Sequence, residues 1–149
     1  MVVAELMAKV VVSISPNEMF SSAVLLMREK NCSCILVSEN GKPKGIITER
    51  DVVRFFAKTL LPEAAAHPQF NDVLAGDVMT PDPVCVDETT PLYDALLLSR
   101  SRGLRHLLVV DEKETLAGLV TQTDMVNAYV KPSSNPQTRP CVCSHTKML

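Results

Sequence analysis

The chain has 149 residues, 46% of them hydrophobic and 21% charged, the composition of a globular protein with room for one ordinary domain or two very small ones. Fifteen basic against seventeen acidic residues give a net charge of −2, and aromatic residues make up only 4%, with no Trp; this argues against a dedicated nucleic-acid or anionic-membrane binder. No apolar stretch approaches the ~18 residues of a membrane span, and Glu5 and Lys9 interrupt the apolar start before a signal-peptide core can form.

In chain order, a short apolar strand is expected at Val10–Ile14. Ser15-Pro16-Asn17-Glu18 reads as a capping box with proline in the first turn, opening a helix whose Phe20, Ala23, Val24 and Met27 fall at helical spacing. A strand at Ile35–Val37, the turn Glu39-Asn40-Gly41 and a strand at Gly45–Ile47 read as a hairpin, and a helix runs from Thr48 toward Lys58. Leu60 to Gly76 carries Pro62, Pro68 and the run Ala64–Ala66, a partly helical connector. The same order then returns: a strand at Val84–Val86, and a helix behind Thr90-Pro91 with Leu92, Ala95, Leu96 and the polar Ser99. A strand at Leu107–Val110, the turn Asp111–Glu114, a strand at Gly118–Val120 and a helix from Thr121 toward Val130 complete it. From Lys131 on, Pro132, Ser133, Ser134, Asn135, Pro136 and Pro140 read as a flexible tail.

The second half is a copy of the first. A shift of 72 positions places Met7 on Met79, Val12 on Val84, Ala23 on Ala95, Leu25-Leu26 on Leu97-Leu98 and Arg28 on Arg100. With one extra residue placed near Asn31/Gly103, Val37 meets Val110, Gly45 meets Gly118, Thr48 meets Thr121 and Asp51 meets Asp124. Units of roughly 54 residues bury too little surface to stand alone. The expected architecture is therefore α+β, two β-α-β-β-α repeats packed with pseudo-twofold symmetry. Its expected parts are a first repeat over 1–59, a connector over 60–76, a second repeat over 77–130 and a tail over 131–149.

The chemistry concentrates in a run that occurs twice, Gly45-Ile46-Ile47-Thr48-Glu49-Arg50-Asp51 and Gly118-Leu119-Val120-Thr121-Gln122-Thr123-Asp124. A glycine in a strand lets another backbone or a ligand approach closely. The threonine falls where strand becomes helix, beside unpaired N–H groups that favour an anion. Three residues on, the acceptor oxygens of the aspartate suit a vicinal diol such as a ribose. Thr-x-x-Asp is equally a capping box; its recurrence at equivalent places in both copies turns the balance toward binding.

These runs resemble the signature of the cystathionine-β-synthase (CBS) domain family: glycine, two apolar residues, Thr or Ser, two variable residues, then Asp. The resemblance covers roughly residues 1–130, including Val78-Met79-Thr80 ahead of the second copy. Two such domains in tandem look like a Bateman module, which implies a regulatory pair binding adenosine-containing ligands in clefts between the domains. On that resemblance Asp51 and Asp124 hold ribose hydroxyls and Thr48 and Thr121 contact phosphate. The first copy departs at Ala8-Lys9, where the family often has Thr and Pro.

Arg105 and His106 open the second strand of the second copy, a position that in the resembled family borders the nucleotide cleft, and Arg suits phosphate. On the shifted alignment the first copy has Cys32 and Ser33 there, so the two sites are expected to differ in charge. Arg50 is a further phosphate candidate, Arg54 is best read as an i,i+3 partner of Asp51, and Arg100 and Arg102 as cations at a helix C-terminus. Cys32, Cys34, Cys85, Cys141 and Cys143 are odd in number and suggest a reducing, cytoplasmic setting. Cys141-Val-Cys143-Ser-His145 lacks the ligand count of a zinc site.

No nucleophile elbow, HExxH or P-loop is present, so the expected function is regulatory, not enzymatic: an adenine nucleotide (AMP, ADP or ATP first) as regulatory ligand, and no resident cofactor or metal. S-adenosylmethionine, NAD or a cyclic dinucleotide meet the same diol reading. The expected partners are a second copy of the chain, through apolar faces such as Val52, Val53, Phe56, Met125, Val126 and Tyr129, and a regulated effector protein or fused output domain. The competing reading is a ligand-free dimerisation module whose Thr-x-x-Asp runs are only caps.

Overall fold

Both copies of the repeat keep the element order read from the sequence in the computed structural model, which describes residues 1–9, 11–60 and 70–130. The first copy runs β1 (Ser13–Ile14), α1 (Phe20–Glu29), β2 (Cys34–Glu39), β3 (Lys42–Thr48) and α2 (Glu49–Thr59). A 3-10 turn at Phe70–Asp72, the short helix α3 (Ala75–Val78) and β4 (Thr80–Pro81) follow. The second copy runs β5 (Cys85–Asp87), α4 (Leu92–Ser101), β6 (His106–Val110), β7 (Leu116–Thr121) and α5 (Gln122–Val130). The fold class is α+β, two β-α-β-β-α repeats. The expected tail and most of the expected connector lie outside the described residues.

Each repeat builds a small sheet in the same way. β1 lies parallel to β2 and β2 antiparallel to β3; β5 lies parallel to β6 and β6 antiparallel to β7. The parallel pairs need a crossover, which α1 and α4 supply, and the antiparallel pairs need only a turn. In the first turn Asn40 and Gly41 both have positive φ, 53° and 76°, the backbone that Asn-Gly favours in a tight hairpin. In the second, Asp111 accepts from the amides of Lys113 and Thr115, each at 2.9 Å.

By packing, the described residues divide into those of 12–83 and those of 1–11 joined to those of 84–130. The outer edge of each hairpin takes an added strand from the segment that precedes the other copy. β4 pairs antiparallel with β3, Ile46 opposite Thr80 and Gly45 opposite Pro81. Ala8 bridges Leu119 in the same way, through N–H···O bonds of 2.8 and 3.0 Å. An unpaired hairpin edge would leave a row of backbone groups unsatisfied. The segment at 1–9 also carries Val3, fully buried in one cluster with Leu107, Val109, Val120 and Met125.

The glycines of the repeated run are explained by these added strands. A Cβ on Gly45 would stand 2.8 Å from the carbonyl oxygen of Thr80, and one on Gly118 2.7 Å from that of Ala8. In both copies the close approach is by the backbone of the added strand together with the methionine side chain ahead of it, Met79 or Met7.

Register moves the extra residue of the alignment. Ser13 faces Leu36 and Cys85 faces Leu108, while Val37 faces Gly45 and Val109 faces Gly118. The shift of 72 therefore runs through α1/α4 and β2/β6. Asn31 and Gly103 are direct counterparts, both at positive φ (51° and 63°) just past a helix end. The added residue sits in the second hairpin turn, where length is cheapest to change. The counterparts of Arg105 and His106 are thus Ser33 and Cys34, not Cys32 and Ser33.

Two further expectations change. Of the Ser15–Glu18 box only one bond forms, Ser15 N–H to Glu18 at 3.0 Å; Ser15 Oγ accepts from Asn17 N–H at 3.3 Å while Glu18 N–H goes to the Ser15 carbonyl at 3.1 Å, all in a turn ahead of the helix. Extended Met19 (ψ 140°) bridges Leu74, so α1 begins only at Phe20. Phe20, Ala23 and Met27 then line the first core with Ile35, Val37 and Ile47. Met125, expected on an exposed apolar face, is fully buried, because it falls on the side of α5 that packs into the second core.

Candidate functional site

Thr48 ends β3 and caps α2; Thr121 ends β7 just ahead of α5. The amides that open the two helices bond across the hairpin, Glu49 N–H to the Ser33 carbonyl at 3.0 Å and Gln122 N–H to the Arg105 carbonyl at 2.8 Å. That bond ties each motif to the start of the neighbouring strand. It brings Arg105 and His106 to the same end of the second repeat as Thr121 and Asp124, with His106 opposite Thr121 in the ladder.

Both Thr-x-x-Asp runs form caps. In the first repeat Asp51 N–H donates to Thr48 Oγ1 at 3.4 Å, and Thr48 donates its own amide (2.9 Å) and its hydroxyl (3.0 Å) to Asp51 Oδ2. In the second, Asp124 N–H donates to Thr121 Oγ1 at 3.1 Å and Thr121 Oγ1 donates to Asp124 Oδ2. Each threonine has one hydroxyl proton and spends it on the carboxylate. In this geometry the hydroxyl protons of Thr48 and Thr121 are both directed to the motif aspartate.

The two carboxylates differ in what holds them. Asp51 is buried, 7% exposed. Its Oδ1 accepts from the Thr80 hydroxyl at 3.2 Å and lies 3.6 Å from Arg54 Nη1, the i,i+3 pairing expected of Arg54. Asp124 is exposed, and its Oδ1 has no partner among the described residues. Thr80 is a member of the site that motif reading missed. Its signal was Val78-Met79-Thr80 before the second copy, but Thr80 serves the first.

Arg50 and Arg105 are exposed and His106 is half-buried. Arg50 has its counterpart in Thr123, so the first repeat carries Arg50 and Arg54 on its helix and the second carries Arg105 at its strand start. A shallow groove of about 190 Å³ runs along the first turns of α5, lined by Gln122, Thr123, Val126 and Asn127. Another of about 280 Å³ runs between α4 and α5, lined by Tyr93, Leu96, Arg100, Val126, Tyr129 and Val130. Among the described residues no three His, Cys, Asp or Glu side chains cluster as metal ligands, and no helix is long and apolar enough to cross a membrane.

The CBS domain model matches the chain twice, over residues 3–58 and 75–131. An uncharacterized protein of Methanopyrus kandleri is 32% identical over 126 residues, which are 83% of this chain and 60% of that protein. The inosine-5′-monophosphate dehydrogenase of Methanocaldococcus jannaschii is 30% identical over 131 residues, 87% of this chain but 24% of the enzyme. The chain thus spans less than two thirds of these relatives. Among solved structures, that of CBSX2 in complex with AMP superimposes with a TM-score of 0.72 at 26% identity, covering 87% of this chain and 96% of that one. With two matched repeats, the doubled Gly-x-x-Thr-x-x-Asp run and this structural likeness, the chain belongs to the CBS domain family as a tandem pair, a Bateman module.

Proposed function

We propose that the chain is a regulatory module that binds an adenosine-containing ligand, an adenine nucleotide before others, and acts without catalysing a reaction. The observation that carries the reading is the Asp124 carboxylate, exposed and with Oδ1 unpartnered among the described residues, at the end of the repeat where Arg105 stands. A carboxylate oxygen open to solvent can accept from ribose hydroxyls, and a guanidinium can pair with phosphate. The likeness to CBSX2, solved with AMP, supports the same ligand class. A ligand that prefers one arrangement of the repeats shifts the population toward it, and an effector protein or a further domain reads the change; the match to a fraction of a dehydrogenase fits such use.

The module acts in the cytoplasm as a homodimer. Val53 (67% exposed), Phe56, Val126 and Tyr129 present apolar surface on α2 and α5, more than isolated surface residues require. Light scattering at micromolar concentration is expected to give twice the chain mass; a monomer would remove this part.

The competing reading, a ligand-free module, draws on the caps, since both Thr-x-x-Asp runs are satisfied internally. A thermal-shift series with AMP, ADP and ATP separates the two. Binding raises stability by RT ln(1 + [L]/Kd), about 2.7 kcal/mol at a hundredfold excess, and no shift with any of the three favours the ligand-free module.

A further inference from the structure

We infer that residues 80 and 8, on the strands added to the two hairpins, decide which copy of the repeated motif takes the ribose: Thr80 locks Asp51, and Ala8 leaves Asp124 open. The inference rests on the adenosine-ligand reading and deepens it. Thr80 lies opposite Ile46 and Ala8 opposite Leu119, the same rung of each sheet. At that rung the Thr80 hydroxyl donates to Asp51 Oδ1 at 3.2 Å, whereas the methyl of Ala8 has nothing to donate. The second hold on Asp51 also has no equivalent. Arg54, 3.6 Å from Oδ1, corresponds to the neutral Asn127. In both copies Oδ2 is bound by the motif threonine, so Oδ1 is the oxygen left for a ligand, and only in the second repeat is it unclaimed. A diol reaching Asp51 must first displace the Thr80 hydroxyl from a buried carboxylate, exchanging one hydrogen bond for another with little net gain. Thr80 is a positioning residue that keeps the first motif in its capping role.

The test is calorimetric titration of the full chain with AMP, in wild type and in variants whose melting temperatures are recorded alongside. Asp124→Ala is expected to remove the tight binding event and Asp51→Ala to leave it. Thr80→Val keeps the side-chain shape without the hydroxyl, so in the Asp124→Ala background it is expected to restore AMP binding by about tenfold over Asp124→Ala alone, one hydrogen bond's worth. Thr80→Ser, which keeps the hydroxyl, is expected to restore none. Ala8→Ser, the smallest change that supplies a donor beside Asp124, is expected to weaken the wild-type event. If Thr80→Val restores nothing while Asp124→Ala still abolishes binding, the lock is wrong and the nucleotide reading survives. If Asp51→Ala, not Asp124→Ala, removes the binding, the order of the two sites is wrong. If wild type and Thr80→Val both leave AMP unbound, lock and nucleotide reading fall together.

Discussion

Gly118 lies against the main chain of Ala8, so close that a Cβ on the glycine would meet the Ala8 carbonyl oxygen at 2.7 Å. The oxygen is fixed, because Ala8 and Leu119 exchange two N–H···O bonds. Gly118→Ala must push the added strand away, at a cost of about 1–3 kcal/mol, the usual range for overpacking. Gly45→Ala, facing the Thr80 carbonyl at 2.8 Å, is expected to cost a similar amount. Denaturant unfolding of each variant measures it, and an unchanged midpoint would mean the strand edge yields freely.

The N-terminal segment is expected to stabilise the second repeat and not the first. Val3 is fully buried among residues of the second core, and Leu6 and Met7 pack against the same cluster. Deleting residues 1–9 removes one fully buried valine, about 1.5–3 kcal/mol, and the bridge to β7. Hydrogen exchange followed by peptide is expected to quicken in β6 and β7 while β2 and β3 keep their protection. Equal loss in both sheets would contradict the division of the chain.

Much of this was readable in the sequence, and the failures have a common cause. Element order followed from local patterning, and the caps at Thr48 and Thr121 from residue types three apart. The identity of the strand beside β3 could not follow from local pattern, since Thr80 and Asp51 are 29 positions apart and two residues of strand leave no periodicity to read. Placing the gap at Asn31/Gly103 took a glycine for an insertion point. Both positions instead need a left-handed backbone, which Asn tolerates and Gly prefers, so two different residues solved one problem. Ser99 keeps the helical spacing read for it although it is polar, and it is fully buried.

Ser99 donates its hydroxyl to the carbonyl of Leu104, beyond the end of α4. Met27 stands at the matching place in the first core. Ser99→Ala is expected to destabilise by about 1 kcal/mol, the net worth of one hydrogen bond, read as a lowered unfolding midpoint. A neutral or stabilising effect would show that the hydroxyl contributes no net stability there.

Cys85 offers a check on local electrostatics. Its thiol is held above the ordinary value, first by partial burial and second by the charge of Glu114. The thiolate is the reactive form, and a raised pKa lowers its fraction at any pH below that value. Alkylation at Cys85, followed by peptide mass spectrometry at pH 8, is expected to run slower than for a free cysteine peptide. Glu114→Gln removes only the smaller cause and is expected to recover part of the rate. A Cys85 that reacts as fast as the free peptide would contradict the shift.

The last prediction concerns charge at the second motif. Arg105 is exposed, and its carbonyl is fixed by the Gln122 amide at 2.8 Å, so the side chain starts from a defined place beside Thr121 and Asp124. Its structural counterpart is Ser33, which carries no charge. If the second repeat takes the ribose through Asp124, a phosphate chain within reach of Arg105 gains a charge-assisted bond, weakened by solvent because the arginine is exposed. Arg105→Ala is expected to weaken ATP by about tenfold and AMP by less, and to flatten the dependence of ATP binding on salt. Arg105→Lys keeps the charge but not the two-pronged geometry, so it is expected to fall between. Calorimetry with ATP and AMP at two salt concentrations reads all of these. Equal weakening of both nucleotides would place Arg105 on a group they share, and no weakening of either would remove it from the site while leaving Asp124 in place.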